Sequence, residues 1–175
     1  LSTNPIATYP QSAGGLTLIQ KQTLASAVAS VTFSGIPQTF THLKLVISSV
    51  TSVSAASAPL EVTLNGDSGA HYFYNFITNI FGTSISAGSV SSAAFAIMGD
   101  AGDNNASAAA NEITIMGYAG STFGKAMTGV CSSTTQGVFS SAGLWTQTAA
   151  VTSVTLALGS GTFTAGSIFS LYGMQ

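Results

Sequence analysis

Gly66-Asp67-Ser68-Gly69 is the segment whose residue types and spacing come closest to a nucleophile. A serine set between aspartate and glycine surrounds the reactive hydroxyl of some hydrolases. The hydroxyl reacts only when a histidine takes its proton and an acid orients that histidine. His42 precedes Ser68, but the sole aspartate between them is Asp67, inside the motif itself. His71 is the last histidine of the chain, so no base follows late in the sequence. A tight hairpin turn accounts for the same letters, because Asn65-Gly66 and Asp67-Ser68-Gly69 tolerate positive φ. The turn is the expectation.

Other chemistry is equally sparse. Asp100, Asp103, Asn104 and Asn105 make an oxygen-rich loop, and calcium takes six to eight oxygens. The glutamate and spacing of a helix–loop–helix site are missing, so a solvated loop is expected. His42 and His71 stand apart with no cysteine cluster to complete a zinc site. No metal and no cofactor is expected. Cys131 is the single cysteine. It has no intrachain partner and is read as a small buried hydrophobe. Glu61, Glu112 and the three aspartates are the whole stock of carboxylates for acid–base work, with no arginine to anchor an anionic substrate. Asn105-Ala106-Ser107 matches a glycosylation sequon, which has meaning only in a secretory pathway. The chain is expected not to be an enzyme.

The charge content points the same way. Only 5% of the 175 residues are charged, against about 25% for an ordinary soluble domain. Lys21, Lys44 and Lys125 are the only cations, and the net charge is −2. Nucleic-acid binding needs several cations to neutralise phosphates, so that partner is excluded. Long-range steering of a partner is excluded as well. No run of apolar residues is long enough for a membrane helix. What remains is contact by shape, apolar area and neutral hydrogen bonds, the profile of a part built into an assembly.

The elements that must position these residues are strands. Leu43, Leu45 and Ile47 alternate with Lys44, Val46 and Ser48, and Leu60, Val62 and Leu64 alternate with Glu61 and Thr63. Ile113/Ile115, Val154/Leu156/Leu158 and Phe169/Leu171 repeat the pattern. Period-two alternation over short runs places one face of each strand in a core. Turn chemistry separates the runs at Gly35-Ile36-Pro37, Asn65 to Gly69, Gly99 to Asp103 and Gly159-Ser160-Gly161. The Ser/Ala stretches Ser49 to Ala58 and Ser84 to Ser92 read as edges or long loops. The expectation is an all-β fold, a jelly-roll-like antiparallel β-sandwich of about 8–10 strands. One sandwich domain, residues 16–175, follows an extended N-terminal arm, residues 1–15, that holds Pro5 and Pro10.

Aromatic side chains are the candidate interface: Tyr9, Tyr72, Phe73, Tyr74, Phe76 and Trp145. The run Tyr72 to Phe76 stands out, because consecutive strand residues face opposite sides and cannot all enter one core.

Three segments carry a resemblance when taken in order. They are Val31-Thr32-Phe33-Ser34-Gly35-Ile36-Pro37-Gln38-Thr39-Phe40-Thr41-His42-Leu43, then Asn65-Gly66-Asp67-Ser68-Gly69 with Tyr72, and Gly161 to Met174 ending in Phe169-Ser170-Leu171-Tyr172-Gly173. With Gly143-Leu144-Trp145 between them, the chain resembles small β-sandwich structural proteins of tailed-bacteriophage virions over nearly its whole length. The resemblance brings no catalytic residues. Such relatives tend to carry arginine in the strand after the Ile-Pro turn; Val46 to Thr51 has none, so a charged contact there does not carry over. The resemblance implies a virion structural protein. The leading expectation is a capsid decoration (cement) protein on the outer surface of the head, a homotrimer bridging copies of the major capsid protein. A tail-associated or fibre-tip receptor-binding protein, reading carbohydrate, is the alternative. A secreted glycan-active enzyme or lectin ranks last, since paired carboxylates are scarce.

Overall fold

A computed structural model of the chain describes residues 15–54, 57–79, 85–104, 108–133 and 137–175. Among them the chain forms twelve strands and no helix. These are β1 (Thr17–Thr23), β2 (Ser30–Ser34), β3 (His42–Ser49), β4 (Pro59–Leu64), β5 (Tyr72–Asn79) and β6 (Ile85–Ala93). They continue with β7 (Ala96–Asp100), β8 (Ala109–Met116), β9 (Lys125–Ser132), β10 (Val138–Trp145), β11 (Ser153–Leu158) and β12 (Ile168–Met174). All strand pairs are antiparallel, in an eight-stranded sheet ordered β1-β12-β3-β8-β9-β10-β5-β6 and a four-stranded sheet ordered β2-β11-β4-β7.

The strand order contains a jelly roll with an extension. Without β5–β6 and β9–β10, the remaining strands form two four-stranded sheets, β1-β12-β3-β8 facing β2-β11-β4-β7. The chain passes between these sheets in the double Greek-key manner of a jelly roll. The pairs β5–β6 and β9–β10 are inserted into that path, and both add to the β8 side of the larger sheet. The expected count of 8–10 strands is therefore too low. The strands that escape notice lie mostly in the extension, where Gly129, Ser141 and Gly143 interrupt the inward positions of β9 and β10 and mute the alternation.

Apolar alternation builds the core as expected. Leu43, Leu45, Ile47, Leu60, Val62, Leu64, Ile113, Ile115, Val154, Leu156, Phe169 and Leu171 are all buried between the sheets. Burial of such side chains stabilises by about 1.5–3 kcal/mol each. The extension packs differently, because only the edge strand of the smaller sheet reaches it: β7 packs on β9 and β10 and more lightly on β5. A Cβ on Gly129 would collide with the Met98 carbonyl oxygen, so glycine is what lets the β7 backbone rest on β9.

The edges of the sheets are not alike. On the β1 side, Gln20 Nε2 donates to the Ser34 carbonyl (2.8 Å) and Gln22 Nε2 to the Thr32 carbonyl (2.9 Å), tying β1 to the rim of β2. At the other side β6 pairs with β5 alone, with a β-bulge between Val90 and Ala93, and among the described residues it has no such tie.

Candidate interaction surface

Residues 64–67 form a tight turn. Asn65 (φ 54°) and Gly66 (φ 67°) sit in left-handed conformation, and Asp67 N donates to the Leu64 carbonyl at 3.0 Å. Two positive φ values in sequence define a type I′ turn. The expected hairpin is absent, because β4 and β5 belong to different sheets, so this turn begins a crossover. Asp67 anchors it. Its carboxylate accepts from Trp145 Nε1 (2.6 Å), His71 Nδ1 (2.8 Å) and Gly69 N (2.9 Å). Burial alone would raise Asp67, but the bonds from Trp145, Gly69 and His71 and the nearby His71 charge outweigh it and hold the carboxyl below its usual range. Asp67 is the one hydrogen-bond partner of the His71 ring among the described residues. Ser68 is exposed and makes no bond to that ring. The geometry orients a histidine without giving it a nucleophile.

The acidic loop differs from its expectation. Asp100 and Asp103 are buried, not solvated. Asp100 accepts from Ser57 Oγ and Ala58 N (3.1 Å) on one oxygen and from Gly102 N (2.8 Å) on the other. Both oxygens are thereby engaged in stitching the chain at 57–58 to the end of β7. Asn104 is exposed, and Asn105-Ala106-Ser107 lies outside the described residues. No group of three or more His, Cys, Asp or Glu among the described residues could hold a metal ion. Cys131 is buried, and that burial pushes its thiol up to about 12. Asp100 N donates to its sulfur at 3.2 Å.

The aromatic candidates divide by strand parity. Tyr72, Tyr74 and Trp145 are buried in the core, so they are corrected from interface to packing residues. Tyr72 and Trp145 stack at 6.4 Å, and burial pushes the Tyr72 phenol up to about 12. The Tyr72 hydroxyl accepts from Leu64 N (2.9 Å) and donates to the Asp67 carbonyl (3.2 Å), which pins the crossover. Phe76 is half-buried and stacks on Phe139 at 5.3 Å. Phe73 points the other way and is 40% exposed. Tyr9, with the arm residues 1–14, lies outside the described residues.

Phe73 belongs to a surface that aromatic content did not reveal. It is the outer face of the extension β9-β10-β5-β6, the side turned away from the core. One row across it reads Thr128, Ala142, Asn75, Ser89, and the next reads Val130, Ser140, Ile77, Ala87. Leu144 and Phe73 stand at one end, Val138 and Ile85 at the other; Ile77 is 57% exposed and Ile85 71%. Between these taller side chains lies an open depression of about 640 Å³, floored by small residues and hydroxyls. A second depression of about 350 Å³ adjoins it over Val46, Ala110, Glu112 and Val130.

Electrostatically the face is blank. The four strands of the extension hold one charged residue, Lys125, and it is buried inward. Its ammonium donates to the carbonyls of Phe123 (2.6 Å) and Thr148 (3.0 Å), and burial holds it below the usual lysine range. Toward the jelly-roll half of the same face, Lys44 and Glu112 neutralise each other at 2.7 Å. The signal available in the sequence was this lack of charge, together with alternate small and apolar residues in 126–144.

No protein-family model matches the chain, and no curated protein does either. Among solved structures, the exo-inulinase of Aspergillus awamori is similar at 9% identity and a TM-score of 0.38. The aligned region covers 90% of this chain and 29% of the inulinase. A likeness of that size says nothing about what this chain binds.

Proposed function

We propose that the protein is a virion structural protein of a tailed phage, a decoration (cement) protein on the outside of the head. It bridges neighbouring copies of the major capsid protein. The observation that carries this reading is the uncharged outer face of β9-β10-β5-β6, which exposes Phe73, Ile77, Ile85, Val130, Val138 and Leu144 on one side of a single sheet. Large exposed apolar patches mark places where proteins meet. A standard interface of about 1,600 Å², roughly 57% apolar, yields about 23 kcal/mol gross at 25 cal/mol per Å². That exceeds the roughly 4–15 kcal/mol cost of association without any ion pair. A homotrimer matches the local threefold symmetry of an icosahedral shell and engages several subunits at once.

A second reading rests on Asn75, Ser89, Thr128 and Ser140, whose neutral donors and acceptors line the depression. They suit a neutral saccharide, and with it a receptor-binding role at the tail. Imaging of virions labelled on this protein separates the two. Label distributed over the head is the expected result. Label confined to the tail contradicts the head assignment and favours the second reading.

A further inference from the structure

Four connections meet at one end of the sandwich, residues 35–41, 65–71, 117–124 and 146–152, and all of them lie within the described residues. Side chains tie each to a neighbour. Gln38 Nε2 donates to the Val151 carbonyl (3.0 Å), Asn65 Nδ2 to the Ala150 carbonyl (2.8 Å), and the Tyr118 hydroxyl to the Pro37 carbonyl. The connection 117–124 carries Phe123, which is 80% exposed, the most exposed large apolar side chain among the described residues. A single exposed apolar residue is ordinary on any surface. What sets Phe123 apart is how it is held. The buried Lys125 ammonium donates to the carbonyl of Phe123 itself (2.6 Å) and to that of Thr148 (3.0 Å), with no carboxylate paired to it among the described residues. Burying a cation without a counterion is costly, and here it fixes the backbone beneath a ring left in solvent.

We infer that these connections bind a neutral saccharide, with the Phe123 ring as its stacking face and His71 Nε2 as a hydrogen-bond acceptor. Strand register brings the two residues together. Trp145 pairs with Lys125 on one side and Tyr72 on the other. One step further, Thr146 N donates to the His71 carbonyl (3.0 Å), and a Cβ on Gly124 would lie 3.4 Å from Thr146 Cα. His71 and the Phe123-Gly124 backbone therefore flank Thr146, two strand spacings or about 10 Å apart. Asp67 accepts from His71 Nδ1 (2.8 Å) and holds the ring proton on that nitrogen. The neutral ring then presents Nε2 as an acceptor, and among the described residues nothing bonds to it. The His71 side chain is 42% exposed. Ser68, Thr122 and Thr146 are exposed as well and add hydroxyls.

The chemistry of this end selects the class of ligand. A pyranose has an apolar C–H face that covers an aromatic ring, and a rim of hydroxyls that both donate and accept. The connections offer one ring, one acceptor and several hydroxyls. The one lysine adjoining them, Lys125, is buried. A sialylated or phosphorylated ligand therefore finds no cation to pair with. Single-stranded nucleic acid also stacks on aromatics but needs a positive groove, and an anionic membrane surface needs basic residues too. One ring among hydroxyls supplies too little apolar area for a protein interface. None of Ser68, His71, Thr122, Phe123 and Thr146 lines the depression of the extension. The inference thus stands apart from the saccharide reading of that depression, and it holds whichever virion surface the protein occupies.

The test titrates the full chain with neutral hexasaccharides of glucose, mannose and N-acetylglucosamine at millimolar concentration, followed by ligand-observed NMR. Using the full chain means that any segment covering these connections counts against the inference. At least one of the three sugars should bind. Phe123→Ala should weaken that binding at least about tenfold with the melting temperature unchanged, because the ring lies in solvent. Phe123→Trp keeps a stacking face and should retain the binding. His71→Phe, which keeps a ring and removes Nε2, should weaken it as well. Ala142→Arg, set in the depression of the extension, should leave it unaltered. Absence of binding to all three sugars, or binding indifferent to the substitutions at Phe123 and His71, would overturn the inference. Binding lost in Ala142→Arg but kept in Phe123→Ala would also overturn it, and would move the saccharide to the depression.

Discussion

Asp67 ties three parts of the chain together through one carboxylate, and its titration should appear in the stability of the fold. Its folded pKa lies below the ordinary value, so its contribution is present above the unfolded pKa of about 3.9. That contribution disappears as pH falls through the lower, folded value. Asp67→Asn keeps the shape and removes the charge. At neutral pH the variant should melt below the parent, and the gap should close as pH falls below about 4. A gap independent of pH, followed by thermal melts across that range, would remove Asp67 from the acid response. The sequence displayed Asp67 only as part of a turn. Its bond to Trp145, 78 positions away, depends on β10 pairing with β5, which no local pattern announces. The same pairing explains the aromatic run. Parity showed that Tyr72 to Phe76 must split between faces, but only the sheet order shows that Tyr72 and Tyr74 take the core and Phe73 the surface.

Among the elements, legibility follows the size of the inward side chains. Strands β3, β4, β8, β11 and β12 put large aliphatic or aromatic residues into the core and are evident from alternation. Strands β9 and β10 place Gly129, Ser141 and Gly143 inward, because β7 lies directly upon them, and so their alternation fades. This packing is testable at Gly129. Gly129→Ala would push a methyl group into the β7 backbone, and relief requires the strand to move. Overpacking of this kind costs about 1–3 kcal/mol. Urea denaturation should show a loss in that range or beyond it, whereas an unchanged midpoint would mean that β7 does not press on β9. The β6 strand was visible only as an edge or a loop. Its Ser/Ala composition lacks a buried face: its residues are exposed or half-buried, and it pairs with β5 alone.

At the scale of the whole molecule, the scarcity of charge was plain from composition, but its placement was not. The three lysines are separated in role: Lys125 is buried among carbonyls, Lys44 is neutralised by Glu112, and Lys21 lies on β1 at the far edge of the sheet. The extension is left as a neutral face. Screening erodes only interactions between charges. If the protein decorates virions as proposed, its occupancy on them should hold steady from about 0.05 to 1 M sodium chloride, a range over which the screening length shrinks to a few ångströms. A large loss of bound protein across that titration would mean that ion pairs carry the attachment.

The most direct measurement of the central claim is co-sedimentation of purified protein with virions lacking it, comparing the parent with Ala142→Arg. Ala142 lies in the middle of the outer face, between Thr128 and Asn75, and its exposure leaves the fold free to accept a longer side chain. If this face is what meets the capsid, burying an unpaired guanidinium there costs several kcal/mol. Occupancy should then fall at least about tenfold, with the melting temperature unchanged. A variant that binds as fully as the parent would contradict attachment through this face.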